Sequence, residues 1–260
     1  MYLFLGKMEL PEGYTYAMYA REGFFQLCTV SVINLVIIVS LILVTKKSKG
    51  ASVTLRIITV LFSASTLILI STAIAKLVMY IDIYGLTQKR VYAAWFMVVL
   101  ALVFIAVAIS RFVPKISVVA VSASIFVVLF SCLALCNADR IIAKYNVDMY
   151  ISGKHEVIDV YALASLGDAS TPDLVRLAKH LDETQGTDII NMVIEENIED
   201  SEVFYYYDPE DYTEAEMYNC LKDQLADCKV VMERTKNSFF DFTFNRMNAE
   251  KSLREAGIIK

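Results

Sequence analysis

Apolar positions in the first half of the chain fall into four runs, at residues 24–44, 57–79, 91–110 and 116–135. Each is long enough to cross about 30 Å of hydrocarbon at about 1.5 Å per helical residue. Only Lys76 places a charge inside any of them. A helix buried in a soluble core usually keeps a polar stripe, and these runs carry only scattered Ser and Thr. In residues 24–44, the 15 Val, Ile, Leu and Phe residues contribute roughly −5 to −9 kcal/mol of insertion free energy. Asn34 offsets at most about 3 kcal/mol of that. The pattern therefore predicts four transmembrane helices. Lys76 lies a turn from the end of its run, so its stem can carry the ammonium to the interface; the rival role is an intramembrane ion pair or transport group.

From residue 138 onward the period changes to that of short amphipathic helices. Thr171-Pro172-Asp173 is a start signal, with a capping hydroxyl, Pro at the first helical position and an early acid. Leu174, Val175, Leu177, Ala178 and Leu181 then share a helical face. Thr213-Glu214-Ala215-Glu216 reads as a capping box, leading into a helix through Leu221, Leu225, Val230 and Met232. Phe239, Phe240, Phe242 and Phe244 form an aromatic knot, expected in the tail's core or on its docking face. Residues 1–23 are polar and aromatic, and Pro11 suits the first turn of an interfacial helix.

Charge sharpens this division. Residues 1–137 hold 11 Lys and Arg against 4 Asp and Glu, a net of +7; residues 138–260 hold 13 against 25, a net of −12. With 57% hydrophobic residues over 260 positions, above the roughly 45–50% of soluble domains, the chain is neither a single soluble globule nor a nucleic-acid binder. Three parts are expected: an N-terminal amphipathic segment (1–23), a four-span domain (24–137) and an acidic helical soluble domain (138–260). The fold class is all-α, an integral membrane helical bundle with an acidic tail.

Loop charge sets the expected topology. The first connection carries Lys46, Lys47, Lys49 and Arg56 without an acid, and the third carries Arg111 and Lys115. Both read as cytoplasmic, which places the N-terminus, the second connection and the tail outside. Tyr80, Tyr84, Tyr92 and Trp95 would then form an aromatic belt at one interface. Thr59, Ser63 and Thr66 share a face of the second span, and Ser117, Ser124 and Ser131 share one of the fourth. Small hydroxyl residues permit close helix approach; these faces pack within the bundle or meet further helices or a second subunit.

Motifs of catalysis are scarce. His155 and His180 have no Cys or His at ligand spacing. Asp208, Glu210, Asp211, Glu214 and Glu216 lack the alternation and turn Gly of a calcium loop. Tyr205-Tyr206-Tyr207 reads as the half-buried end of a strand or helix or as a partner-facing surface. Cys28, Cys132 and Cys136 lie in or at the ends of spans. Cys220 and Cys228 are separated by about 12 Å of helical rise, too far for a disulfide unless the helix breaks. No phosphate loop, nucleophile elbow or dinucleotide fingerprint occurs. No catalytic residue, metal site or cofactor is assigned.

Three segments carry a family resemblance. They are Leu10-Pro11-Glu12-Gly13-Tyr14-Thr15-Tyr16-Ala17 with Tyr19-Ala20-Arg21-Glu22-Gly23-Phe24-Phe25; Tyr84-Gly85-Leu86-Thr87 with Arg90-Val91-Tyr92 and Trp95; and Asn137-Ala138-Asp139-Arg140-Ile141-Ile142-Ala143-Lys144-Tyr145-Asn146 with Leu163-Ala164-Ser165-Leu166-Gly167-Asp168. The chain resembles bacterial multi-span membrane proteins grouped as domain of unknown function 4173, related to the 4153 group. The resemblance covers roughly residues 2–180. Such proteins usually carry further hydrophobic segments before the Leu-Pro-Glu-Gly stretch, so it implies a shortened or C-terminal-part member in the bacterial cell membrane. It brings no catalytic residues.

The resulting expectation is a non-enzymatic membrane scaffold or sensor-like module whose partners are the lipid bilayer and either other membrane helices or a protein held by the acidic tail. The alternative is a component of a transporter or of envelope or lipid processing. It would act through an outer-rim site of Arg21, Asp82, Tyr84, Lys89, Arg90, Tyr92 and Trp95, with Asp82 pairing with Lys89 or Arg90 across the turn.

Overall fold

A computed structural model describes residues 16–45, 53–113, 117–195, 214–234 and 243–259. All regular structure among them is helical, in two compact units, 1–136 and 137–260. The expectations for the Tyr triplet, the 213–216 capping hydroxyl, Pro11 and three of the four clustered Phe fall outside the described residues; the fourth, Phe244, is exposed.

The first unit holds α1 (Tyr16–Thr45), α2 (Val53–Tyr84), α3 (Gln88–Ser110) and α4 (Val118–Leu135). All four are long and apolar enough to cross a membrane. Helix α2 begins before and ends after its apolar run, at about 48 Å of rise, so its polar ends reach beyond the hydrocarbon. Helix α4 begins at Val118 because Ser117 caps it, accepting a hydrogen bond from the Ala120 N–H at 3.4 Å. Between α2 and α3, Gly85 adopts a left-handed φ of 75°, and its N–H bonds the Ile81 carbonyl at 2.8 Å. That conformation favours glycine at a helix end.

Helix α2 packs between α1 and α3, and α4 lies on α3. Phe24, Ile38, Ile70, Leu77, Met97, Leu100 and Phe104 form the interior. The second span's hydroxyl face is buried: Thr59, Ser63 and Thr66 are each about 1% exposed or less. Thr59 and Thr66 donate back to the carbonyls one turn earlier, and Thr66 accepts from Asn34 Nδ2 of α1 at 3.0 Å. This ties Asn34 to a partner across the helix contact, which removes the cost of an unpaired amide in lipid. The serine face of α4 behaves differently. Ser117, Ser124 and Ser131 are exposed, while Val118 and Leu129 pack against the core of the bundle. Of the two alternatives left open for that face, internal packing does not hold. Large apolar side chains such as Phe25, Val36, Leu61, Ile68, Val119 and Val127 also point outward. A soluble monomer rarely exposes such contiguous apolar surface, and a bilayer is its natural solvent.

The second unit comprises α5 (Ala138–Ile151), α6 (Val160–Ala164), a short 3-10 turn (Gly167–Ala169), α7 (Thr171–Gln185), α8 (Ile189–Glu195), α9 (Glu214–Arg234) and α10 (Phe244–Glu255). Helix α7 is central, touched by α5, α6, α8, α9 and α10. Its Leu174, Leu177, Ala178 and Leu181 meet Val147, Val193, Leu221, Leu225 and Leu253 in one core. Thr171 does open α7, but its hydroxyl faces Cys228 Sγ at 3.5 Å rather than capping the helix. The cap of the following helix comes from a distance instead. The Asp182 carboxylate accepts from the Ile189 and Ile190 N–H groups at 2.6 and 3.1 Å, filling the orphan donors of α8. Lys229 of α9 closes the other end of α8. Its ammonium donates to the Val193 and Ile194 carbonyls at 2.8 and 2.9 Å while the residue is 8% exposed.

Candidate functional site

At one end of the membrane unit, the start of α1, the end of α2 and the start of α3 enclose a cavity of about 250 Å³. Its charged lining is Arg21 from α1 and Lys89 and Arg90 from the first turn of α3. Phe24, Phe25, Leu77, Tyr80 and Ala93 supply the apolar and aromatic walls. Three of the seven expected rim residues therefore converge. Among the described residues, no carboxylate lines the cavity.

Arg90 is held in place by local geometry. Its Nη1 donates to the Tyr84 carbonyl at 2.8 Å and also to the Gly85 carbonyl, and the guanidinium lies 4.2 Å from the centroid of the Tyr80 ring. This corrects the expected pairing with Asp82: the turn offers two helix-end carbonyls and an aromatic face closer at hand. Asp82 is exposed on α2 and does not line the cavity. Tyr84 contributes its carbonyl and a ring 5.0 Å from that of Tyr80, and Tyr92 is half exposed outside the lining.

Trp95 takes another role. Its Nε1 donates to the Leu129 carbonyl at 3.0 Å, and its ring meets Phe126 and Phe130 edge-on at 5.6 and 6.3 Å. It fastens α4 to α3 rather than joining the cavity. The Lys76 ammonium turns to α1, where a Cβ on Gly23 would collide with Nζ. Gly23 thus leaves the space that Lys76 occupies, two residues from Arg21. The missed wall residues Leu77 and Tyr80 had a signal, since they lie three apart on one helix face.

The other candidate chemistry lies in the second unit. Helix α9 runs unbroken from Glu214 to Arg234, and Cys220 and Cys228 are both unbridged. Burial, with Asp223 and Asp159 adding to it, pushes the Cys220 thiol up from 9.0 to about 11. Burial raises Cys228 as well, against the lowering contact from Thr171. Maleimide labelling of Cys220 at neutral pH is therefore expected to run about 100-fold slower than at an exposed cysteine, since the thiolate is the nucleophile. Denaturant should restore the ordinary rate; fast labelling of the folded chain would contradict the packing. The linkage has a definite sign. The unfolded chain releases this proton near pH 9 and the folded one near 11, so the unit's stability is complete below pH 9 and falls as pH rises through that window.

The family model described as domain of unknown function (DUF4153) matches residues 1–177, covering the membrane unit and continuing into α7. No curated protein and no solved structure matches the chain. The match falls on the 4153 side of the resemblance that the sequence motifs carry. With four helices fit to span a membrane and a family match over two thirds of its length, this chain belongs to the DUF4153 family.

Proposed function

We propose that the protein is a non-enzymatic membrane scaffold or sensor-like module, with its acidic helical unit on the extracytoplasmic side of a bacterial cell membrane to hold a protein partner. The observation that supports this reading is the uncharged interior of the span domain. Among the described residues, none of the buried ones in this unit is ionisable. Transport through the bundle calls for ionisable groups facing a hydrated path. Arg21, Lys89 and Arg90 instead gather at one end, around the cavity. Orientation rests on the positive first and third connections.

Thiol accessibility separates this reading from the transporter alternative. The five native cysteines are replaced by alanine, and Ser63→Cys and Thr87→Cys are introduced singly. In native membranes, a water-soluble methanethiosulfonate should modify Thr87→Cys at the rim and leave Ser63→Cys untouched. Reaction at Ser63→Cys would reveal water in the bundle and turn the reading to transport.

A further inference from the structure

We infer that the rim cavity of the membrane unit binds a phosphate-ester anion, of the kind carried by an anionic lipid headgroup or a soluble organic phosphate. Arg21, Lys89 and Arg90 bring three positive charges to one cavity. Like charges gathered at the edge of a low-dielectric layer repel one another, and an anion between them removes that repulsion. Arg21 and Lys89 have no ion-pair partner among the described residues. The acids closest in sequence, Glu22 and Asp82, are exposed and stand outside the lining.

The helix geometry adds to the field. The first turn of α3 contains no acid, and Thr87 provides no side-chain cap. The positive end of the helix dipole therefore lies beside Lys89 and Arg90 with no acid of the first turn to offset it. Arg90 is oriented by the Tyr84 and Gly85 carbonyls and by Tyr80, so it enters the cavity already positioned. The walls specify the rest of the ligand. Phe24 and Leu77 are buried beside the cavity, and Phe25, which also lines it, is 61% exposed. A cationic mouth over an apolar flank suits an amphiphile whose phosphate meets the arginines. At about 250 Å³ the space is smaller than the roughly 300 Å³ at which sites for whole drug-sized molecules begin. It accommodates a headgroup fragment rather than an entire ligand.

The test is native mass spectrometry of the full chain in detergent, titrated separately with phosphatidylglycerol, phosphatidylcholine and glycerol phosphate. Phosphatidylglycerol adducts are expected to exceed phosphatidylcholine adducts by about 10- to 30-fold in affinity, and the double variant R21Q/K89Q should bring the two lipids to near parity. R111Q, which removes a cation outside the cavity, should leave the preference intact. Adducts of glycerol phosphate that are lost in R21Q/K89Q would identify a soluble phosphate ester as the source. Adducts of phosphatidylglycerol alone would identify the lipid. Both variants exchange exposed or partly exposed cations, and unchanged helical content and melting temperature verify that they fold. The inference is overturned if neither anion binds better than phosphatidylcholine, or if R21Q/K89Q keeps the full preference.

Discussion

Replacing Leu177 by alanine is expected to lower the stability of the acidic unit by about 2–5 kcal/mol. Leu177 is fully buried on α7, the helix that five others contact. Those neighbours are held by their own contacts, among them Leu221 and Leu225 on α9 and Leu253 on α10. They cannot all collapse into the space a truncated side chain leaves, so the cavity term stays large. In the full chain in nanodiscs, the melting transition assigned to this unit should fall by about 10–20 °C. Helical signal from the membrane unit should persist through that transition. A shift of only a few degrees would mean that α7 is not the centre of the core.

A charge reversal at Lys229 should have a comparable effect for a different reason. The Lys229 ammonium joins α9 to the C-terminal end of α8 through the Val193 and Ile194 carbonyls. Lysine is suited to that place because the end of a helix offers unpaired acceptors and a negative dipole end. Lys229→Glu would set a carboxylate against those acceptors in a site only 8% exposed. An uncompensated buried charge costs about 3–5 kcal/mol. Lys229→Met keeps the length, loses the two bonds and leaves two carbonyls unpaired, at about 1–3 kcal/mol. The ordering is the diagnostic: the wild-type chain should melt highest, Lys229→Met lower and Lys229→Glu lowest. Equal melting of Met and Glu variants would show that the site is open to water.

The spans were legible because insertion depends on the length and apolarity of a continuous run, which needs no partner to evaluate. The burial of Thr59, Ser63 and Thr66 was legible for a related reason: one helical period placed them on one face. The same period picked out Ser117, Ser124 and Ser131, yet they are exposed. Periodicity tells which residues share a face but not which neighbour the face meets, and in α4 the larger Val118 and Leu129 take the contact with the bundle core. Long-range polar contacts were hidden more completely. Trp95 suited an interfacial belt by composition, whereas its N–H finds the carbonyl of Leu129, far along the chain. Lys229 carries no signal of its own in the sequence, because its two acceptors belong to α8.

In the rim site, Arg21, Lys89 and Arg90 were identifiable as charges at span ends, and the cavity unites them. Asp82 was expected to pair with Lys89 or Arg90 on the simple ground of opposite charge. Geometry prevailed there: a guanidinium beside a helix end finds carbonyls in a fixed direction, as Arg90 does at Tyr84 and Gly85. Gly23 shows the same limit from the other side. Its value lies in the Cβ it lacks, which leaves room for Lys76, and no local pattern announces that need.

The central claim is that these helices cross a bilayer, and α3 offers the most direct measurement. Thr87 precedes its first turn and Phe112 follows its last, the latter 67% exposed. In the background without native cysteines, Thr87→Cys and Phe112→Cys are treated singly with an impermeant maleimide in sealed vesicles of one orientation, before and after lysis. One of the two should label only from outside and the other only once the vesicles are opened, with the chain retained in the membrane after an alkaline carbonate wash. Labelling of both positions from the same side, or release of the chain into the wash, would contradict the account.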